Sequence, residues 1–222
     1  MTLKLVVFDV DGTLSDSQAM IYGSMSEAFG TAGLPTPALA QVLEIVGLSL
    51  PQAVARLAPD LGSDRVAAVV ANYKSSYFTQ RAETPAPLYP GALECVQRLA
   101  RRDDLVLGIA TGKSRRGLDA LLAHYGLGGL FVTRQVADDH PSKPNPSMLF
   151  AALNEAGVCA KDAVMIGDTT FDIEMGAAAG VATIGVSWGY HSVPDLLAAG
   201  PARMVDSFAE LERAVDEIWE DA

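Results

Sequence analysis

The chain has 222 residues, a half-apolar composition and a formal net charge of -11. It is long enough to bury one full core with an insertion, and no run approaches the ~18 apolar residues of a membrane span. The acidic balance argues against nucleic acid and anionic membranes as partners, and any anionic substrate needs a local cationic site. The N-terminus enters a strand almost at once, so no secretory signal is expected. Cys95 and Cys159 lack metal-ligand spacing and read as buried thiols in a reducing cytoplasm.

The run 3–8 is continuously apolar from Leu5 to Phe8, the pattern of a central strand covered on both faces. Asp9 and Asp11 follow, two apart and so on one side of an extended segment. They face a spot beyond the strand's carboxyl edge, where open α/β sheets bind ligands, and Gly12 lets the chain turn sharply after them. Two carboxylates brought together need a cation or a shared proton. The closing Glu and the sixth-position Gly of an EF-hand loop are not in place.

From 15 to 85 the strand signals stop. Val66, Val69, Val70, Tyr73 and Tyr77 form one helical stripe, and Pro35, Pro37, Gly47, Pro51, Pro59 and Gly62 punctuate the remainder. The segment reads as an all-helical insertion, with the Pro-rich stretch 84–91 as its return linker. Strand-like runs then recur at 105–110, 130–132, 163–166, 182–186 and 203–205, mostly separated by helical patterns. That alternation implies a parallel sheet with helices on both faces.

The second run ends in Thr111-Gly112. The stretch 108–114 looks like a phosphate-binding P-loop, but its glycines are separated by three residues where four are required. Lys113, Arg115 and Arg116 stand where they could steer phosphate from the helix start, but read more readily as a solvated helix face. Lys143 stands just before Asn145-Pro146, an N-cap and N1 pair for a helix stopped by Gly157. Asp168 and Asp172 lie where the run 163–166 gives way to another helix. Ser207 and Glu210 form a capping box ahead of the stripe Leu211, Val215 and Ile218. His124, His140 and His191 have no ligand spacing and read as surface residues.

Each polar residue at these strand ends has a chemical use. A carboxylate can attack phosphorus and split one hard step into two. A second acid can protonate the leaving oxygen and later deprotonate a water. A hydroxyl and backbone N–H groups at a helix start can hold phosphoryl oxygens. A lysine offsets charge between nucleophile and phosphoryl group, and Mg²⁺ needs few protein carboxylates because it keeps several waters.

Four motifs in this order, FDVDGT, ATG, SKPNP and GDTTFD, resemble the haloacid dehalogenase superfamily, and most closely its phosphoglycolate-phosphatase-like branch. The resemblance runs from Leu3 to about Leu211. It implies a Rossmann-like α/β core, residues 1–14 and 86–222, and an inserted helical cap, residues 15–85. It implies Asp9 as nucleophile and metal ligand, and Asp11 as general acid/base with its backbone carbonyl on the metal. Thr111 and Gly112 then match the phosphate-binding position, and Lys143 the lysine that pairs with nucleophile and phosphate. Asp168 matches a Mg²⁺ ligand, and Asp172 a supporting acid that orients metal-bound water or Lys143. Gly47, Leu48 and Ser49 lie where such caps carry a substrate-facing loop.

The activity so implied is Mg²⁺-dependent hydrolysis of a small, phosphoglycolate-like phosphate monoester by a cytoplasmic monomer or homodimer. A phosphomutase of the β-phosphoglucomutase type shares all four motifs, and a pyrophosphatase fits a cap of this size. A metal-free dehalogenase is disfavoured by the acid at position 11. A non-catalytic metal-binding module is disfavoured by the intact set of motifs.

Overall fold

Leu5, Val6, Val7 and Phe8 are fully buried because their strand lies in the middle of the sheet with helices on both faces. The computed structural model describes residues 3–83 and 85–219. Its strands are β1 (Lys4–Phe8), β2 (Leu105–Thr111), β3 (Phe131–Val136), β4 (Ala163–Gly167), β5 (Ala182–Val186) and β6 (Arg203–Val205). They form one parallel sheet in the order β3-β2-β1-β4-β5-β6. The direction of winding reverses between β1 and β4, the point at which such sheets open a crevice at their carboxyl ends.

Side chains alternate faces along β1 as the pleat requires. Val6 and Phe8 share an apolar cluster with Val96 of α5 (Ala92–Leu99), Leu118 of α6 (Arg115–His124) and Leu211 of a C-terminal helix (Phe208–Glu217). Leu5 and Val7 share another with Met148 of α7 (Ser147–Ala156) and Met175 of α8 (Thr170–Ala179).

Between β1 and β2 the chain forms α1 (Gln18–Thr31), α2 (Leu39–Leu43), α3 (Leu50–Leu57) and α4 (Ser63–Glu83). These helices have an apolar cluster of their own, which includes Ile21, Met25, Val54 and Val69 and takes in Phe171 from the sheet side. The stripe read from the sequence, Val66 to Tyr77, packs in this cluster. The two chain crossings lie side by side. The Asp16 N–H donates to the Pro87 carbonyl at 2.9 Å and the Tyr89 N–H to the Leu14 carbonyl at 3.0 Å. Thr84, the first residue of the expected return linker, lies outside the described residues.

Several local expectations shift. β3 runs to Val136, beyond the apolar stretch 130–132, because its later polar residues are satisfied internally. Gln135 donates to the Thr133 hydroxyl at 2.7 Å and to Glu155 at 2.8 Å. The helix expected at Pro146 begins at Ser147, with the Asn145 side chain accepting from the Ser147 N–H at 3.0 Å. Ser207 caps its helix by accepting from the Glu210 N–H, but the Glu210 carboxylate turns back to the Asp206 N–H, so only half of the expected box forms. Cys95 is buried as expected, whereas Cys159 is exposed, because it precedes a surface turn.

Candidate active site

The parallel register sets Phe8 beside Ile109 and Ile166, so Asp9, Thr111 and Asp168 emerge together at one sheet edge. Asp9 is pinned there by its N–H, which donates to the Ile166 carbonyl at 2.9 Å. Its carboxylate is 1 % exposed, with the Lys143 ammonium 2.9 Å from Oδ1. That approach is an ion pair, and neither Asp9 oxygen accepts a directed hydrogen bond. Lys143 donates instead to Asp172 Oδ1 at 2.6 Å. Asp172 Oδ2 accepts from the Thr169 N–H at 3.1 Å and the Thr169 hydroxyl at 2.7 Å, which closes the start of α8.

Asp168 is held on both sides. Its Oδ1 accepts from the Thr13 hydroxyl at 2.7 Å and its Oδ2 from the Tyr190 N–H at 2.9 Å. Gly12 makes room for it: a Cβ there would fall 2.1 Å from Asp168 Oδ2, and the backbone has φ +90°. Glycine alone meets both demands without strain.

Oxygens of Asp9, Asp168 and Asp172 lie within 4.8 Å of one another, all buried. Three carboxylates face one ammonium, so the cluster carries an excess of negative charge. Burial, with repulsion from Asp172 and Asp11, raises Asp9 to about 6 against the pull of Lys143. Burial, with Asp9 and Asp172, holds Asp168 well above the usual carboxylate range. Burial alone would lower Lys143, but Asp172 and Asp9 more than reverse it. Buried oxygens without hydrogen bonds, in an all-oxygen donor set with surplus negative charge, fit a hard divalent cation.

Asp11 stands apart from this cluster. Its Oδ1 accepts from the Ser17 hydroxyl and from Lys113 Nζ, both at 2.6 Å, and its Oδ2 accepts from Lys113 at 2.9 Å. Lys113 also donates to the Tyr77 hydroxyl of α4 at 2.8 Å. The lysine is therefore no part of a solvated helix face, as the basic run KSRR suggests; it is buried beside Asp11, and burial's downward push on its pKa is overcome by Asp11 and Tyr77. Arg115 does lie at the surface, paired with Asp139 at 2.6 Å. His140 and His191 are half-buried rather than superficial. His140 bonds to Ser147 and Gln135, and His191 accepts from the Thr170 N–H at 3.1 Å, with burial lowering its pKa. His124 is exposed as expected.

Thr111 is fully buried, and its hydroxyl accepts from the Lys113 N–H at 3.2 Å. Gly47, Leu48 and Ser49 form the loop between α2 and α3 and sit directly on this strand end. A Cβ on Gly112 would lie 2.7 Å from the Gly47 carbonyl oxygen. The Ser49 N–H donates to the Ser142 hydroxyl at 2.7 Å, one residue before Lys143. Helical insertion and sheet edge enclose a cavity of about 680 Å³ lined by Asp9, Asp11, Thr111, Gly112, Leu48 and Tyr77, among others. Lys113, Tyr77, Ser17 and Ser142 were missed as site residues. The proximity of Lys113 to the ATG motif and the place of Ser142 at the head of SKPNP are the signals that could have found two of them.

Residues 6–186 match the haloacid dehalogenase-like hydrolases. The chain belongs to that family. A relative of the haloacid dehalogenase-like chain, the Dickeya dadantii protein named Probable phosphatase IndB, is 35% identical over 211 residues, 93% of this chain and 91% of that one. The phosphoglycolate phosphatase of Pseudomonas syringae pv. tomato is 31% identical over 215 residues, 94% of this chain and 78% of that one. The crystal structure of a hydrolase from Pseudomonas syringae has the same fold, with a TM-score of 0.86 at 22% identity over 97% of this chain and 99% of that one. The haloacid dehalogenase-like chain is thus a phosphatase-type hydrolase, and among its described residues no helix is long and apolar enough to cross a membrane.

Proposed function

We propose that the chain is a Mg²⁺-dependent phosphatase that hydrolyses a small phosphate monoester in the cytoplasm through a phosphorylated Asp9. The observation that carries this reading is the Asp9 carboxylate: buried, without a directed hydrogen bond, 2.9 Å from Lys143 and within a cluster of three acids. A structural carboxylate at that depth would be saturated with donors. One left unsatisfied suits attack on phosphorus.

Asp9 and Asp168, with the Asp11 backbone carbonyl, would hold the cation, which would offset phosphoryl charge when bound. Asp172 fixes Lys143 and, through it, Asp9. Lys143 and the Thr111–Gly112 backbone receive the phosphoryl oxygens. Asp9 attacks in line and the bond from phosphorus to the ester oxygen breaks, while Asp11 delivers a proton to that oxygen. Asp11 then takes a proton from water as the water attacks phosphorus, which frees Asp9 and inorganic phosphate. In this division of labour residues 1–14 and 86–222 are the catalytic core. Residues 15–85 are the cap, which excludes bulk water when closed.

The test is an acid quench of Asp11→Asn with p-nitrophenyl phosphate. The leaving group needs no acid, so the variant should accumulate phosphorylated Asp9, visible by mass spectrometry. Dephosphorylation faster than in the parent chain would remove Asp11 from the mechanism. Phosphate release without any sugar bisphosphate activator separates hydrolysis from mutase chemistry, and phosphoglycolate is the reference ester because relatives are named for it.

A further inference from the structure

The cavity over Asp9 is larger and more apolar than a two-carbon ester requires. Its 680 Å³ is within the range of pockets that enclose a drug-sized ligand. The cap side is built from Ile21, Met25, Ile45 and Leu48, together with the stacked rings of Tyr73 and Tyr77, 5.7 Å apart between centroids. Among the described residues, the cations on its walls are either paired or exposed to solvent. Lys113 is held by Asp11 and Tyr77, Arg116 lies over the Phe78 ring at 3.9 Å, and Lys74 is exposed. Asp11 is offset by Lys113, and Asp138 adds negative charge to the same walls.

A second anion on the leaving group would lose its water against apolar and aromatic surface, and among the described residues the unburied cations of the walls, Lys74 and Arg116, are exposed, so solvent screening weakens what they could offer it. An uncharged ring in the same place would bury apolar area and stack on tyrosine. We infer that the substrate is the phosphate monoester of an uncharged, ring-bearing alcohol, not a doubly anionic ester such as phosphoglycolate. This rests on the phosphatase reading and specifies the leaving group.

Three alkyl esters separate the contributions, measured as phosphate release by the whole chain with Mg²⁺. Ethyl phosphate carries neither ring nor second anion, benzyl phosphate adds the ring, and phosphoglycolate adds the anion. The kcat/KM of benzyl phosphate should exceed that of ethyl phosphate by about tenfold or more, the scale of one buried apolar group. Phosphoglycolate should fall below ethyl phosphate. Tyr73→Ala should shrink the benzyl-to-ethyl ratio several-fold, and Tyr73→Phe, which keeps the ring, should preserve it. Phosphoglycolate at or above ethyl phosphate overturns the inference, and so does equal turnover of benzyl and ethyl esters. No turnover of these esters or of p-nitrophenyl phosphate would instead remove the phosphatase reading, and this inference with it.

Discussion

Among the described residues, Lys143 is the cation that meets both Asp9 and Asp172 at the end of β1, and its loss has two separable consequences. Lys143→Met should reduce turnover by about a hundredfold or more, the scale for one preorganised donor to a developing charge. It should also destabilise the metal-free chain by about 3–5 kcal/mol, because Asp9 and Asp172 stay buried without their partner. Urea unfolding without metal checks the second effect. An unchanged midpoint would mean that the acids simply take up protons. Asp9 titrates near 6 rather than at its ordinary 3.8. Its folded state therefore binds protons more tightly than the unfolded chain, so the metal-free fold loses stability as pH rises through that window. A divalent cation competes with the same proton. Mg²⁺ should therefore raise the melting temperature more at about pH 7.5 than at about pH 5, and an equal rise at both would place the cation away from Asp9. At this scale the sequence was informative where spacing carries chemistry. Asp9, Lys143, Asp168 and Asp172 converge as their strand-end positions imply. It was silent on Lys113, because a lysine in a basic run looks the same whether it meets water or an aspartate 102 positions earlier.

Among the elements, the loop between α2 and α3 is seated on the carboxyl end of β2 so closely that glycine is required on the strand side. At Gly112 a methyl group would lie 2.7 Å from the Gly47 carbonyl oxygen and 2.9 Å from that of Leu48. These are backbone atoms and cannot swing aside. Gly112→Ala should therefore push the loop away from Thr111 and Lys113 and lift the helical insertion off the strand end. We expect kcat/KM to fall by tenfold or more, since a misplacement of about 1 Å can cost a hundredfold, with little change in the melting temperature, because the sheet cluster is untouched. A fall in melting temperature matching the loss of activity would make Gly112 a structural residue only. Element identity was readable wherever apolar period set it, as in β1 and the α4 stripe. It was less so in β3, where Thr133 and Gln135 satisfy each other inside the fold, and at α7, where Asn145 caps from one residue farther back than the Asn-Pro pair suggests.

The whole molecule is a sheet whose helical insertion leaves and returns through one doorway. Ser15 bridges to Leu88, and hydrogen bonds tie Asp16 to Pro87 and Leu14 to Tyr89. Because the ends meet, the proposed cap can in principle be excised and its gap closed by a short flexible linker at little cost in loop entropy. The pairings of β1 with β2 and β4, and the two apolar clusters on the sheet faces, draw on none of the described residues of α1 to α4. A chain with residues 18–85 replaced by a Gly-Ser linker should therefore keep a cooperative unfolding transition and a mixed α/β circular dichroism spectrum. Its weak point is Phe171, which packs with the insertion and would be uncovered. The acids at the strand ends remain, so phosphoryl transfer from p-nitrophenyl phosphate should persist at a reduced rate. Discrimination among alkyl esters should vanish, because the surfaces that meet the leaving group have gone. A shortened chain that does not fold would show the helices to be part of the core's own stability and would move the domain boundary. One that folds and still discriminates would place specificity on the sheet side, in the walls around Lys113 and His140.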